Sequence, residues 1–561
     1  MKSAAQPTSH FWRLLALGAL LAATALGVSG EEEPVQLPPM LLQEKLKLPP
    51  WRYTRIAGLE VLSRCEDATT KDFLGSYLHM QHVLRALVPD AFLWRQELPS
   101  ILLLVGQDSM KLMSREVIAD MEKRERQRPR QPQAGFLPHL TLSDSEVSAY
   151  FVMLNEAAEY RRDFVYLRWE QLHRQLQNRI PPLPLWLIEG LTEFYRSSRL
   201  RDNALVFDEA TWLDDAETRA IRDDSEYPRA LLPMREILER ETIAPPATEN
   251  AEAYERRWRA QVALFVRWAL TSKRAERRAA FWQYVAALDR VPPSEALFER
   301  FFQLGYSDMQ ERLSDFLSEA VATMPVIEQE AKEPGIEPTL RNATVAEVSR
   351  LRGEWERLEI AYVRARFPSW TETYIDQARN TLRRAYDQGS MEAPLMAAIG
   401  IFEGEMDNAG AAAWFLNAAA EARVARPRVY LELARLHYRE AAGHPRDEIT
   451  PKDQLPAKAI ALLETAQQFR PPLAGVNLLL AQSRSSAGKP VTPTQLTEFE
   501  QAARNFPRVT SLVTLAVLAH VQAGKSDTAT ALLLQGLRFA PTPEDRQRLE
   551  KLRDSLWERP Y

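Results

Sequence analysis

Apolar positions along this chain fall into three rhythms. The first is nearly continuous: Leu14 to Val28 reads LLALGALLAATALGV, behind Lys2 and Arg13 and ahead of small residues and the acidic Glu31-Glu32-Glu33. That layout predicts a signal peptide over residues 1–30. The run is shorter than the ~20 residues of a membrane-spanning helix, and an uncleaved anchor is the alternative reading. The second rhythm is one of short bounded runs. PSILLLVG (99–106) sits between breakers and predicts a buried strand, SAYFVML (148–154) a further strand, and RIAGLEVLSRC (55–65) a shorter one. Interspersed with these, Phe73, Tyr77, Met80, Val83 and Leu84 recur at helical spacing within 71–89. The third rhythm is helical throughout and begins near residue 343, as pairs of amphipathic segments.

Those pairs repeat. Within 510–541, Gly524 falls at an inter-helix turn, Ala529 and Gly536 at small crossing positions, Leu533 at a large one and Pro541 at the end. Leu395, Ala398, Phe402, Ala411, Phe415 and Ala418 mark an earlier copy. Leu433, Ala434, Ala459, Leu463, Ala466 and Pro471 mark a third, with an insertion near 441–455, and 476–507 gives a looser fourth. A period of about 34 residues with small residues at the crossings resembles a degenerate tetratricopeptide array. A generic helical bundle is the plainer alternative. The chain therefore divides into a signal peptide (1–30), a Pro/Glu/Leu-rich linker (31–50), a mixed α+β domain (51–325), a linker (326–342) and an all-α, tetratricopeptide-like solenoid (343–561).

Composition narrows the chemistry. One cysteine in 561 residues excludes an internal disulfide and any zinc site built on several thiolates. Cys65 fits a buried apolar place. A net charge of −5 gives no basic field for nucleic acid. Residues 119–133, with EKRERQRPRQPQ at the core, mix Glu with Arg and carry no aromatics, so they read as a solvated helix end and loop. After the signal peptide no stable transmembrane segment is expected. What remains open is a site of histidine and carboxylate.

The stretch 161–196 holds a candidate. Trp186-Leu187-Ile188-Glu189-Gly190-Leu191-Thr192-Glu193-Phe194 resembles the W-L-x-E-G-x-A-x-[YF] segment of gluzincin zinc metallopeptidases, closest to secreted bacterial domains of the peptidase MA type. The resemblance implies that Glu189 is the third zinc ligand and that H-E-x-x-H lies on the preceding helix. That register reads Trp169-Glu170-Gln171-Leu172-His173. It implies Glu170 as general base and His173 as a zinc ligand, with Trp169 in the place of the first ligand. Residues 100–105 would be the early strand, 150–154 the edge strand above a cleft, 253–270 the helix after the ligand helix, and 296–317 a closing segment.

Elementary chemistry limits what such a site can do. Positions i and i+4 share a helix face, so two histidines there reach one ion while the intervening glutamate takes a proton from bound water. Indole offers an N–H donor and no ligand lone pair. His173 and Glu189 alone are two protein ligands where catalytic zinc needs three. The expected function is thus an exported pseudo-metallopeptidase without cofactor, periplasmic or secreted, whose helical domain binds a protein or peptide partner. The alternative is an active zinc hydrolase with an altered ligand set. Other histidines fit less well: His79 and His82 have helical spacing but no further donor, and His139 would be a substitute ligand only if the fold brought it near. His173 as a hydrogen-bonded helix residue, and Trp169 and Trp186 as core aromatics, are the bland readings of the same stretch.

Overall fold

The computed structural model describes residues 49–557, apart from 57, 90–98, 107–114, 128–138, 155–168, 202–203, 211–230, 242–249, 272–274, 329–337, 443–454 and 487–490. The signal-peptide segment lies outside the described residues, as does all of the following linker up to residue 48. Among the described residues no helix is long and apolar enough to cross a membrane.

The described residues open on a hairpin, β1 (Arg52–Ile56) and β2 (Leu59–Arg64), where the sequence predicts one short strand. Helix α1 (Asp67–Leu87) leads to β3 (Ser100–Gly106), which pairs parallel to β2. Helix α2 (Arg115–Gln127) leads to a second hairpin, β4 (His139–Ser143) and β5 (Ser148–Leu154). Strand β5 lies parallel to β3, giving the order β4-β5-β3-β2-β1. The expected edge strand at 150–154 is therefore corrected: it is internal, and His139–Ser143 forms that edge. An internal strand has apolar neighbours on both faces, which is why SAYFVML is continuous rather than alternating.

Helices α3 (Trp169–Gln177) and α4 (Leu185–Arg196) follow, then a small hairpin, β6 (Ser198–Arg201) and β7 (Ala204–Phe207). Next come α5 (Met234–Leu238), α6 (Ala251–Leu270), α7 (Ala275–Ala287), α8 (Glu295–Phe302) and α9 (Tyr306–Ala320). The segment expected as a linker, 326–342, contributes strands at both ends. Strand β8 (Val326–Glu328) pairs with β7, and β9 (Arg341–Asn342) adds to the edge of the large sheet beside β1.

Thr344 then starts the helical region with a reciprocal cap: its hydroxyl accepts from the Glu347 amide, and the Glu347 carboxylate accepts from the Thr344 amide. The helices run α10 (Val345–Arg366), α11 (Thr371–Asp387), α12 (Ala393–Glu405), α13 (Ala409–Glu421), α14 (Pro427–Ala442), α15 (Ala457–Gln467), α16 (Ala474–Ser486), α17 (Pro493–Asn505), α18 (Thr510–Gln522), α19 (Ser526–Phe539) and α20 (Pro543–Trp557). The crossing positions near the end hold: Ala529 and Leu533 are buried, and a Cβ at Gly536 would come within 2.7 Å of Val513. In α13 the fully buried alanines are Ala412 and Ala419, one residue on from the predicted Ala411 and Ala418.

The large sheet is shared by two cores. Val61, Leu102, Leu104, Tyr150 and Val152 point to a core built with α1, α4, α6 and the helices up to α9. Their neighbours Leu62, Ile101, Leu103, Ala149 and Phe151 point the other way, into a core with α2 and the helices from α10 to α16. Cross-strand register keeps each set together, Val61 beside Leu102 and Leu102 beside Tyr150. Trp355 of α10 packs against Phe151, ring centroids 5.4 Å apart. Helices α2 and α10, with the helices packed behind α10, thus form the second covering layer of the sheet. Helix α2 buries Val117 and Met121 in this second core, Met121 from within the segment 119–133 read from the sequence as solvated.

Candidate functional site

Helix α4 begins at Leu185 behind Pro184 and carries the candidate motif. Trp186 anchors it. Its indole is fully buried against Phe265, Phe281 and Tyr284, so this tryptophan is a core aromatic. Gly190 faces α6. A Cβ there would lie 2.5 Å from Val266 Cγ2 and 3.0 Å from the Val262 carbonyl, so only glycine lets the two helices approach this closely. Gly190→Ala is expected to destabilise the fold by about 1–3 kcal/mol through overpacking. Helix propensity alone would instead favour alanine by about 1 kcal/mol. A higher thermal midpoint in the alanine variant would refute the close contact.

That approach sets the charges. Glu189, one residue before the glycine, is 7% exposed. His173 reaches it from α3, with Nε2 3.7 Å from Glu189 Oε1. Arg259 reaches it from α6, with Nε 3.4 Å from the other carboxylate oxygen, and its Nη2 is 2.8 Å from Glu255. His173 Nδ1 lies 3.4 Å from the Thr192 hydroxyl, which itself donates to the Ile188 carbonyl. Burial pushes the Glu189 carboxyl above its usual range, and the Arg259 guanidinium opposes that rise.

The two residues predicted as ligands, His173 and Glu189, therefore come together. Trp169 and Glu170 open the same helix α3, but their side chains lie outside the described residues. A 3.7 Å separation would let both donors reach one ion at zinc–ligand distances of about 2.0–2.2 Å. Yet among the described residues no group of three His, Cys, Asp or Glu side chains is assembled to hold a metal. His139 sits on edge strand β4 and completes no such set. His82 lies on α1, and the side chain of His79 is outside the described residues. Among the described residues, His173 and Glu189 are the two donors brought together here, one fewer than a three-ligand zinc centre uses. No family model, no curated protein and no solved structure matches the chain.

Sequence reasoning missed Arg259. It sits in the charged run Glu255-Arg256-Arg257-Trp258-Arg259, indistinguishable from a solvated face until Gly190 brings the helices together. It also missed a cavity of about 580 Å³ between α16, α18 and α20. Gln482, Ser485, Thr514, Arg548 and Lys551 are among its lining residues.

Proposed function

We propose that this chain is an exported, metal-free relative of the gluzincin peptidases, with a tetratricopeptide-like region that holds a protein or peptide partner. The observation that carries the reading is the His173–Glu189–Arg259 cluster. Supporting it, His173 and Glu189 lie side by side, the sequence has a tryptophan four residues before His173, and the second Glu189 oxygen faces the Arg259 guanidinium. Supporting the binding half, the cavity between α16, α18 and α20 offers hydroxyls, an amide and two cations at the scale of a few side chains.

Metal analysis of the purified natural chain is expected to find zinc far below one equivalent. Stoichiometric zinc would overturn this reading in favour of an active hydrolase, with Glu170 as base and His173 and Glu189 as ligands. For the partner, a peptide selected from a display library on the full chain is expected to lose binding when Arg548 and Lys551 are both changed to Glu. Leu534→Ala, at an exposed position on α19, should leave binding intact. Binding indifferent to the two cations would remove the groove from the proposal.

A further inference from the structure

We infer that Arg259 takes over the charge role a metal ion would play at this site, so that the cluster is closed to divalent cations by an internal cation as well as by a missing ligand. The inference rests on the metal-free reading above and deepens it.

The geometry places the guanidinium on the carboxylate. Glu189 is nearly enclosed, and a buried carboxylate needs a counter-charge. Histidine supplies that only when protonated, whereas arginine supplies it at every accessible pH. On its own helix Arg259 also pairs with Glu255 one turn earlier, its Nη2 at 2.8 Å, both side chains being half-exposed. The chain of charges Glu255–Arg259–Glu189 then ends on the oxygen opposite the one facing His173. A divalent ion placed between His173 and Glu189 would share this carboxylate with the positive charge of a half-exposed guanidinium. Like charges so close repel strongly even with solvent screening, and the carboxylate's affinity for a metal falls. Restoring the missing histidine would therefore not by itself restore a metal site.

The test compares zinc binding by the natural full chain, Trp169→His, Arg259→Gln with Trp169→His, and Arg259→Lys with Trp169→His. Affinity is read by competition with a chromophoric chelator and content by elemental analysis, with circular dichroism checking the fold. Trp169→His alone is expected to bind weakly. Adding Arg259→Gln should tighten binding by roughly a hundredfold, the size expected for removing a partly screened like charge. Adding Arg259→Lys, which keeps the charge, should not. If Trp169→His binds zinc as tightly as the glutamine double variant, Arg259 does not exclude the metal and the inference fails, while the metal-free reading of the natural chain stands. If the glutamine double variant binds no zinc, the inference also fails. Stoichiometric zinc in the natural chain would remove both. Should Trp169→His disrupt folding, Trp169→Asp supplies a smaller ligand for the same comparison.

Discussion

Arg357→Met is expected to cost about 3–5 kcal/mol, a large share of the stability of an ordinary domain. The side chain is 2% exposed and carries a full charge on α10. It bonds three carboxylates: Asp144 at 2.7 Å, Glu354 at 2.9 Å and Glu405 at 2.8 Å. Arg428 shares Asp144 and Glu405, and Arg426 joins Glu354 to the fully buried Glu146. Asp144 and Glu146 belong to the turn between β4 and β5, while the other members sit on or beside α10, α12 and α14. The network fastens the edge of the sheet to its second covering layer. Removing the central guanidinium leaves buried carboxylates with less than their counter-charge, which is the costly way to break such a site. Urea unfolding followed by circular dichroism measures the loss; a cost under about 1 kcal/mol would place the network among ornamental ion pairs.

The same network fixes a pH dependence. Burial would raise Asp144 and Glu354, but the arginines more than reverse it: Asp144 is held well below its ordinary value and Glu354 at about 2. A depressed folded-state value stabilises the protein fully above the unfolded value and is lost as pH falls through the folded one. The contribution is thus complete above about 4.5 and fades towards 2. The gap in stability between the natural chain and Arg357→Met is expected to be widest near neutrality and to narrow across that window. A gap that is constant from pH 6 to pH 2.5 would contradict the assignment.

These residues mark the boundary of what the sequence could tell. Strand 100–106 was legible because five consecutive apolar residues, Ile101 to Val105, lie between Pro99 and Gly106, a local signal. The helix pairs were legible for the same reason, since small crossing residues such as Ala529 act within one hairpin. Which helices cover which face of the sheet was not legible. Leu103 and Leu104 are identical in sequence, yet they serve opposite cores. Nor was Arg357, which in the sequence is one charge among many in Arg352-Gly353-Glu354-Trp355-Glu356-Arg357. Its partner Asp144 lies 213 residues away and is brought near only by tertiary packing. At the candidate site, the sequence put His173 and Glu189 forward as neighbours and they are 3.7 Å apart, whereas Arg259 gave no signal because its place depends on the approach of α6 to Gly190.

The second large effect is expected at the far end of the helical region. Glu241, just after α5, ion-pairs with Arg538 of α19, and the two side chains are 10% and 7% exposed. Arg538 Nε donates to Glu241 Oε1 at 2.6 Å, and the other carboxylate oxygen accepts from the Leu185 amide at 3.3 Å. Leu185 is the first residue of α4, whose opening amides lack partners within the helix. One carboxylate thus ties the last complete helix pair to the start of the helix that carries Glu189. Burial already pushes the Glu241 carboxyl above its usual range, against the pull of Arg538. Arg538→Met is therefore expected to cost about 3 kcal/mol, by stranding a buried carboxylate. It should also speed amide exchange in two separated segments, 185–196 and 526–539. Glu241→Gln in the same background removes the stranded charge and should recover part of the stability, while the exchange at 526–539 stays fast because no charge pair holds that helix. If exchange rises at 526–539 and stays unchanged at 185–196, the carboxylate does not couple the two elements. Coupled loosening would instead mean that the helical region, besides covering the sheet, fixes the geometry in which His173, Glu189 and Arg259 meet.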